Sequence, residues 1–351
     1  MKRVAIIAGV VGLGLTVWML AQFGAGAILS LIMAGGWGIL AAVLFHTVQV
    51  ALSAQAWRVI AGPQVNPLPA STPLKLKDYF ALRCVREGVN NLLPVAQVGG
   101  EVCSSRLLAR RGLGTRHAAA ATICDLTLEL LSQVVFTLSG LAILLLLVKR
   151  SAITDELVES ALVALAIGAV LFASQWLGAL ALVEVLLAKI AGHLGWNGVQ
   201  SMRGLHEQVL ALYKAKGNAL WAFFLQFVAW ALGAVEVCLI LHFLGHDCSL
   251  WVGFVIEGVG EAAKSIGFAV PGALGVSEGG YVLVGGLFGV PPQVAMALSL
   301  IKRVREIVWG LPSLALWQWL EHKWCATPEP EDVRPTHHAS LCQSTISSTS
   351  L

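Results

Sequence analysis

Two eight-residue stretches decide the fold of this chain: PVAQVGGE at residues 94–101 and PGALGVSE at residues 271–278. Each begins with a proline, continues through small residues and ends in a glutamate. Proline and glycine interrupt helices, and a carboxylate within an apolar segment is costly. Gly/Pro-interrupted segments at corresponding positions of two halves are typical of transporter binding sites. The sequence therefore predicts two broken-helix turns, with Pro94, Gly99, Gly100, Pro271, Gly272 and Gly275 as their turn residues.

The composition indicates a membrane protein. Apolar residues make up 57% of the chain and charged residues 12%, whereas a soluble domain has about 25% charged residues. Apolar runs such as residues 4–20 and 134–148 approach the ~20 residues that cross a bilayer as a helix. The seven cysteines form no CxxC pair. We interpret them as small apolar side chains rather than metal ligands or a disulfide framework.

These runs predict an all-α polytopic membrane protein with about six full spans and two re-entrant broken-helix hairpins. The predicted spans cover residues 4–22, 37–60, 118–147, 157–187, 219–244 and 292–320, and the hairpins cover residues 74–100 and 251–288. Together they form one membrane domain over residues 1–324. The polar residues 325–351 carry no periodicity, and we predict a disordered cytoplasmic tail there.

Positive charge predicts the orientation of these spans. If the N-terminus is cytoplasmic, most lysines and arginines, including those in the loop 106–116, fall on the cytoplasmic side, and only Lys149 and Arg150 fall outside. Both termini are therefore predicted to be cytoplasmic. This path requires each hairpin to enter and leave on one side of the membrane. Units 37–147 and 219–320 then run in opposite directions, which predicts an inverted-topology repeat.

Charges inside the apolar segments are the candidate site, because intramembrane charges are functional by default. In the first hairpin, side chains spaced three or four apart share one helical face. They can bind an anionic head group, or they can be snorkelling arginines of an interfacial helix. The predicted head-group ligands are Arg83, Arg86, Asn90, Asn91, Lys264, Lys302, Arg303 and Arg305. The predicted charge partners or gating groups are Glu87, Glu101, Asp125, Glu129, Glu261, Glu278 and Glu306.

Two groups of these charges allow more than one interpretation. Asp125, Glu129 and Gln133 step by four along the third span, as a proton relay or a structural counter-charge for the arginines would. Residues 302–306 lie about ten residues into the last span, where they line a cavity or belong to a loop. Glu236 and Gln226 are isolated in their span, and we interpret them as packing polar groups.

Signatures of enzymes and cofactors are missing from the sequence. It has no Walker loop and no His/Cys/Asp cluster with metal-ligand spacing. We therefore predict no catalytic residue, metal or cofactor, and no nucleic-acid partner. The predicted partners are membrane lipids.

The two motifs also resemble a known family. The segment REGVNNLLP at 86–94, followed by Gly99-Gly100-Glu101 and Arg106, resembles the first signature of the lysylphosphatidylglycerol-synthase transmembrane-region family. PGALGVSE at 271–278, with Arg303 or Arg305 after it, resembles the second. Segments 56–58, 89–91 and 125–129 are most similar to its hopanoid-associated branch. Ser277 stands where the family often has Arg, and Ala273 where it often has Gly.

The resemblance implies a bacterial inner-membrane protein that handles lipids. In the aminoacyl-phosphatidylglycerol branch this region is the flippase part, and a separate soluble domain, which we do not find here, transfers the aminoacyl group. Three hypotheses follow. The first is a translocase of a polar lipid, anionic or hopanoid-type, and the second is a membrane-embedded enzyme on a polyprenyl or hopanoid lipid with Glu101 or Asp125 as base. The third is a non-catalytic scaffold that binds hopanoid-biosynthesis proteins.

Overall fold

The computed structural model describes Trp18 and residues 25–62, 74–93, 99–147, 204–266 and 275–325. Within these ranges the chain forms nine α-helices and no strand, so the prediction of an all-helical fold is confirmed for them. The predicted span 157–187, all of the span 4–22 except Trp18, the turn residues Pro94, Pro271 and Gly272, and the tail beyond Cys325 lie outside the described residues.

Four helices build the N-terminal unit. They are α1 (Ala25–Ala61), α2 (Leu76–Leu92), α3 (Gly99–Leu108) and α4 (Thr115–Leu147), with a π-helical turn at Ala109–Leu113 between α3 and α4. Inside α1, Gly36 has φ 50° and ψ −132°, a conformation that glycine adopts readily because it has no Cβ. This kink divides α1 just before the predicted start of the span at Trp37.

Five helices follow in the C-terminal part. They are α5 (Leu205–Lys214), α6 (Lys216–Phe243), α7 (Leu250–Ile266), α8 (Val276–Leu287) and α9 (Pro292–Cys325). Three of the nine helices, α1, α4 and α6, are long and apolar enough to cross a membrane. With 34 residues, α9 is also long enough, but four charges between residues 302 and 306 interrupt its apolar surface.

The buried apolar side chains form two clusters. The first apolar cluster contains Ile39 and Val43 of α1, the end of α4, residues 237–241 of α6 with Leu244 just after it, and the start of α9 up to Ile301. The second contains residues 54–61 of α1, the start of α4, Ala222 and Leu225 of α6, and the end of α9. Accordingly, α1 and α9 run from the first cluster to the second, whereas α4 and α6 run from the second to the first.

The short helices divide between the clusters in the same way. The buried apolar residues of α2 and α3 lie in the second cluster, and those of α7 and α8 lie in the first. The helices on either side of each interrupted turn therefore share one apolar cluster, and the two pairs occupy opposite ends of the molecule.

Glycines bring two of these helices into close contact. A Cβ on Gly88 of α2 would lie 2.6 Å from the Ser313 Cβ and 3.0 Å from the Gly310 carbonyl oxygen of α9. A Cβ on Gly310 would lie 2.6 Å from a methyl carbon of Leu92. Small residues of this kind let membrane helices approach closely, so Gly88 and Gly310 set the α2–α9 separation.

Candidate functional site

Charged side chains concentrate between the two apolar clusters. On α1, His46 and Gln49 lie between Val43 of the first cluster and Ala54 of the second. On α9, residues 302–306 directly follow Ile301, the last residue of α9 in the first cluster. The charges therefore lie near the middle of the long helices, where a buried ion needs a partner.

In the first group of ions, which we call the α2–α4 charge cluster, two arginines of α2 face four carboxylates. Arg86 donates from Nη1 to Asp125 at 2.8 Å, from Nη2 to Glu129 at 2.9 Å and from Nε to Glu101 at 2.9 Å. Arg83 donates to Glu129 and, at 3.4 Å, to Glu87. Arg86 is only 3% exposed, whereas the side chain of Glu87 at the edge of the cluster is 25% exposed.

Polar contacts tie the start of α3 to this cluster. Asn90, at the end of α2, accepts a hydrogen bond from the backbone N–H of Gly100 at 2.8 Å and donates to the Glu101 carboxylate at 3.1 and 3.2 Å. A Cβ on Gly100 would collide with the backbone carbonyl of Arg86. The position is thus restricted to glycine, and Glu101 is carried directly onto the Arg86 guanidinium.

In the second group, the α7–α9 charge cluster, both helices supply cations and carboxylates. Lys302 donates to Glu257 and lies 3.7 Å from Glu261, both on α7. Lys264 donates to Glu306 at 2.5 Å. These contacts join α7 to α9 in the same way that the α2–α4 cluster joins α2 to α4.

Glu278 at the start of α8 is fully buried and surrounded by donors. Its Oε2 accepts hydrogen bonds from the Gly275 N–H at 2.7 Å and from the Ser277 hydroxyl at 3.0 Å. Its Oε1 accepts a hydrogen bond from Nε of Arg303 at 2.5 Å, and Nη2 of Arg303 donates to the Ser277 hydroxyl at 2.9 Å. These donors together form a site that suits an anion, and the Glu278 carboxylate occupies it.

A histidine and a glutamate link the two clusters. Nε2 of His46 lies 3.2 Å from Glu87, and its Nδ1 lies 4.0 Å from Glu236 and has no hydrogen-bond partner. Glu236 accepts from Arg305 at 2.7 and 2.8 Å and from Gln49 at 2.7 Å. Through His46, polar contacts run from the first hairpin to α9.

A recess opens beside the α7–α9 cluster. Its cavity volume is about 20 Å³, which is room for one water molecule and not for a lipid head group. Its lining residues are Glu261, Lys264, Ser277, Tyr281, Ser299, Lys302, Arg303 and Glu306. Since the Arg303 side chain is 19% exposed and that of Arg86 is 4%, Arg303 is the more accessible guanidinium.

Carboxylates outnumber cations in both clusters. In the α2–α4 cluster, Arg83 and Arg86 face Glu87, Glu101, Asp125 and Glu129. In the α7–α9 cluster, four cations face the five carboxylates Glu236, Glu257, Glu261, Glu278 and Glu306. By formal charge, both clusters are therefore negative.

Comparison with known proteins places the chain in a family. Residues 5–311 match the family described as the lysylphosphatidylglycerol synthase TM region. The chain belongs to this family. A relative from Methanothermobacter thermautotrophicus, described as a UPF0104 membrane protein, is 24% identical over 282 residues, which cover 76% of this chain and 80% of the relative. No solved structure matches the chain.

This member of the lysylphosphatidylglycerol synthase TM-region family is a multi-pass membrane protein. The structure brings most of the sequence-predicted charges into the two clusters. Asn91 lies half-buried one position beyond Asn90. Gly99 begins α3, and Gly275, with φ 79°, caps α8.

Sequence reasoning gave too little weight to two residues of α6. The isolated positions of Glu236 and Gln226 in their span predict packing polar groups. Glu236 binds Arg305, and Gln226 donates to Asp125 at 3.0 Å and accepts from Ser53 at 2.9 Å. A carboxylate in an apolar span was the available signal, but its partner lies 69 residues away in sequence.

Proposed function

We propose that this protein is a translocase that moves the head group of a polar lipid between the two leaflets. The observation that carries the proposal is the pair of charge clusters, buried between the two apolar clusters and joined through His46. The recess at Arg303 and Lys302 is where we place the first contact with the head group.

The energetics of buried ions favour a functional role for the clusters. A buried ion pair contributes little net stability, because desolvation offsets its Coulomb attraction. Apolar side chains at these positions would stabilise a helix bundle at least as well as the ion pairs do. Two extensive clusters in an otherwise apolar protein are therefore better explained by a polar cargo than by packing.

The arrangement of the helices supports alternating access. The helices α1 and α6 begin the two units and run in opposite directions between the apolar clusters, as do α4 and α9, which end them. Each pair of short helices stays with one apolar cluster, as a re-entrant hairpin would. We therefore retain six spans, two re-entrant hairpins and an inverted repeat as part of the proposal, since such repeats form midplane sites.

The chemistry of the recess indicates the kind of head group. Arg303 has a planar fork suited to a phosphate or carboxylate, and Glu278 holds that fork in the present conformation. An anionic head group would replace Glu278 as the partner of Arg303. The surplus of carboxylates additionally favours an amine, so we propose a lipid that carries both groups or a hopanoid with an amine. Arg83, Arg86, Asn90, Asn91, Lys264 and Arg305 remain candidates for later steps of the passage.

Charge at the two ends supports the proposed orientation. The helix ends and connections beside the second apolar cluster carry Lys75, Lys77, Arg110, Arg111 and Arg116. The described loops beside the first, 244–249 and 288–291, contain no lysine or arginine. By the positive-inside rule the second cluster is cytoplasmic. We propose a bacterial inner membrane as the location and assign the protein to the hopanoid-associated branch on the residues quoted above.

Reconstitution tests the function directly. Purified protein is placed in vesicles that contain a labelled anionic, zwitterionic or uncharged lipid, and the labelled fraction in each leaflet is followed. We expect faster equilibration of a charged head group, with no change in the lipid's mass. A change in mass would instead favour the membrane-embedded enzyme. If no lipid moves faster than in protein-free vesicles, the translocase is wrong and the scaffold hypothesis gains support.

A further inference from the structure

Two thiols meet where α6 is connected to α7. Cys238 lies on the last turns of α6 and Cys248 lies in the loop that precedes α7, with their sulfur atoms 3.1 Å apart. A disulfide has an S–S distance of about 2.05 Å, so the sulfurs need to approach by only ~1 Å. We propose that Cys238 and Cys248 form a disulfide that fastens the end of α6 to the start of the second hairpin.

The packing around the two thiols holds them together. A Cβ on Gly253, in the first turn of α7, would collide with the sulfur of Cys238, so the glycine leaves the space that this thiol occupies. The Cys238 thiol also lies 3.6 Å from the Ser249 carbonyl oxygen. The pairing thus results from the close contact of α6 with α7 as well as from the short separation of the cysteines in sequence.

The two thiols are accessible. Cys238, Cys248 and the control position Cys103 are partly exposed, whereas Cys84 and Cys124 are buried. The loop that carries Cys248 is exposed at Gly245, Asp247 and Ser249. An oxidant can therefore reach one sulfur without unfolding the helices.

The proposed orientation places this loop in an oxidising compartment. The loop lies beside the first apolar cluster, against which Cys248 packs, and that end is extracytoplasmic in the orientation proposed above. Disulfides form and persist in the bacterial periplasm. The inference uses this orientation and is independent of the translocase activity.

The reaction needs an oxidant, which we take to be the disulfide of a periplasmic thiol–disulfide oxidoreductase. One cysteine of the pair, as a thiolate, attacks a sulfur of the oxidant and releases the oxidant's other sulfur as a thiolate. The second cysteine, also deprotonated, attacks the first cysteine's sulfur in the mixed disulfide, forms the Cys238–Cys248 bond and releases the oxidant's sulfur as a second thiolate. Two electrons pass to the oxidant, and the two protons that the thiols lose balance those taken up by its dithiol.

Mass spectrometry of the full-length protein in native membranes tests the disulfide. Free thiols are alkylated without a reductant, and the protein is then digested. We expect a peptide pair joined through residues 238 and 248 and lighter by two hydrogen atoms than the reduced peptides. Reductant should also lower the melting temperature of the wild type and of the control Cys103→Ser, but not of Cys238→Ser or Cys248→Ser. If both thiols are alkylated before reduction, the disulfide does not form and the inference is wrong.

A second measurement separates this failure from a wrong orientation. After mild reduction, a membrane-impermeant maleimide is added to intact cells whose outer membrane has been made permeable. Labelling of position 248 with no disulfide before reduction would overturn the disulfide and leave the orientation in place. No labelling, together with alkylation of both thiols before reduction, would overturn both.

Discussion

At the residue scale, Glu236 shows that a buried charge needs its oppositely charged partner for stability. Its carboxylate is fully buried and receives two hydrogen bonds from Arg305 and one from Gln49. Loss of its charge would leave the guanidinium of Arg305, itself 7% exposed, without its carboxylate partner. The cost of an uncompensated buried charge is several kcal/mol.

We therefore expect Glu236→Gln to lower the free energy of unfolding by ~3–5 kcal/mol. The double variant Glu236→Gln with Arg305→Gln should recover most of this loss, because it buries no net charge. Chemical denaturation in mixed micelles measures both. As a control, Asp247→Asn breaks the exposed His242–Asp247 pair and should change stability by less than ~1 kcal/mol. Equal effects of the two single variants would contradict the role of Glu236.

The sequence predicts most of the charged residues in the two clusters but few of the partners that they contact. Periodicity indicated a polar face on α2, because spacings of three and four repeat on a helix. The contact of Arg86 with Asp125 crosses 39 residues, and that of Arg305 with Glu236 crosses 69. Such pairings depend on how the helices pack against one another, and the local spacing of residues does not specify this packing.

At the element scale, the α2–α9 contact depends on glycine. We expect Gly88→Ala to lower the free energy of unfolding by ~1–3 kcal/mol, because overpacking forces the helices apart. Gly279→Ala on α8 is the matched control, since a Cβ there has no neighbour within 4 Å. It should be neutral or stabilise by up to ~1 kcal/mol, because alanine favours helix over glycine. Denaturation of both variants checks this, and an unchanged Gly88→Ala would refute the close contact.

Helix positions were easier to predict than helix breaks. Hydropathy placed α4 and α6 to within a few residues of their observed ends, since long apolar runs leave the backbone little alternative to a helix in a bilayer. The interruption of each hairpin was predicted from Pro and Gly. The kink at Gly36 was not, because a single glycine is tolerated in a helix and its conformation depends on tertiary packing.

At the scale of the whole molecule, the two apolar clusters define two ends, and the proposed orientation places the second in the cytoplasm. We expect a single cysteine at position 110, in a cysteine-free background, to react only with cytoplasmic reagent. A single cysteine at Pro291, which is exposed before α9, should react from outside. Labelling of position 110 from outside intact cells would show that the orientation is opposite to the one proposed.

The central claim is that Arg303 binds the head group as it crosses, and one variant series tests it most directly. Leaflet-resolved lipid movement is measured in vesicles for wild type, Arg303→Ala, Arg303→Lys and the control Lys214→Ala, which changes an exposed cation on α5. We predict that Arg303→Ala abolishes lipid movement with the fold retained. Arg303→Lys should keep part of the movement, because the charge remains without the planar fork. Lys214→Ala should move lipid at the wild-type rate. Full activity of a folded Arg303→Ala protein would contradict the account.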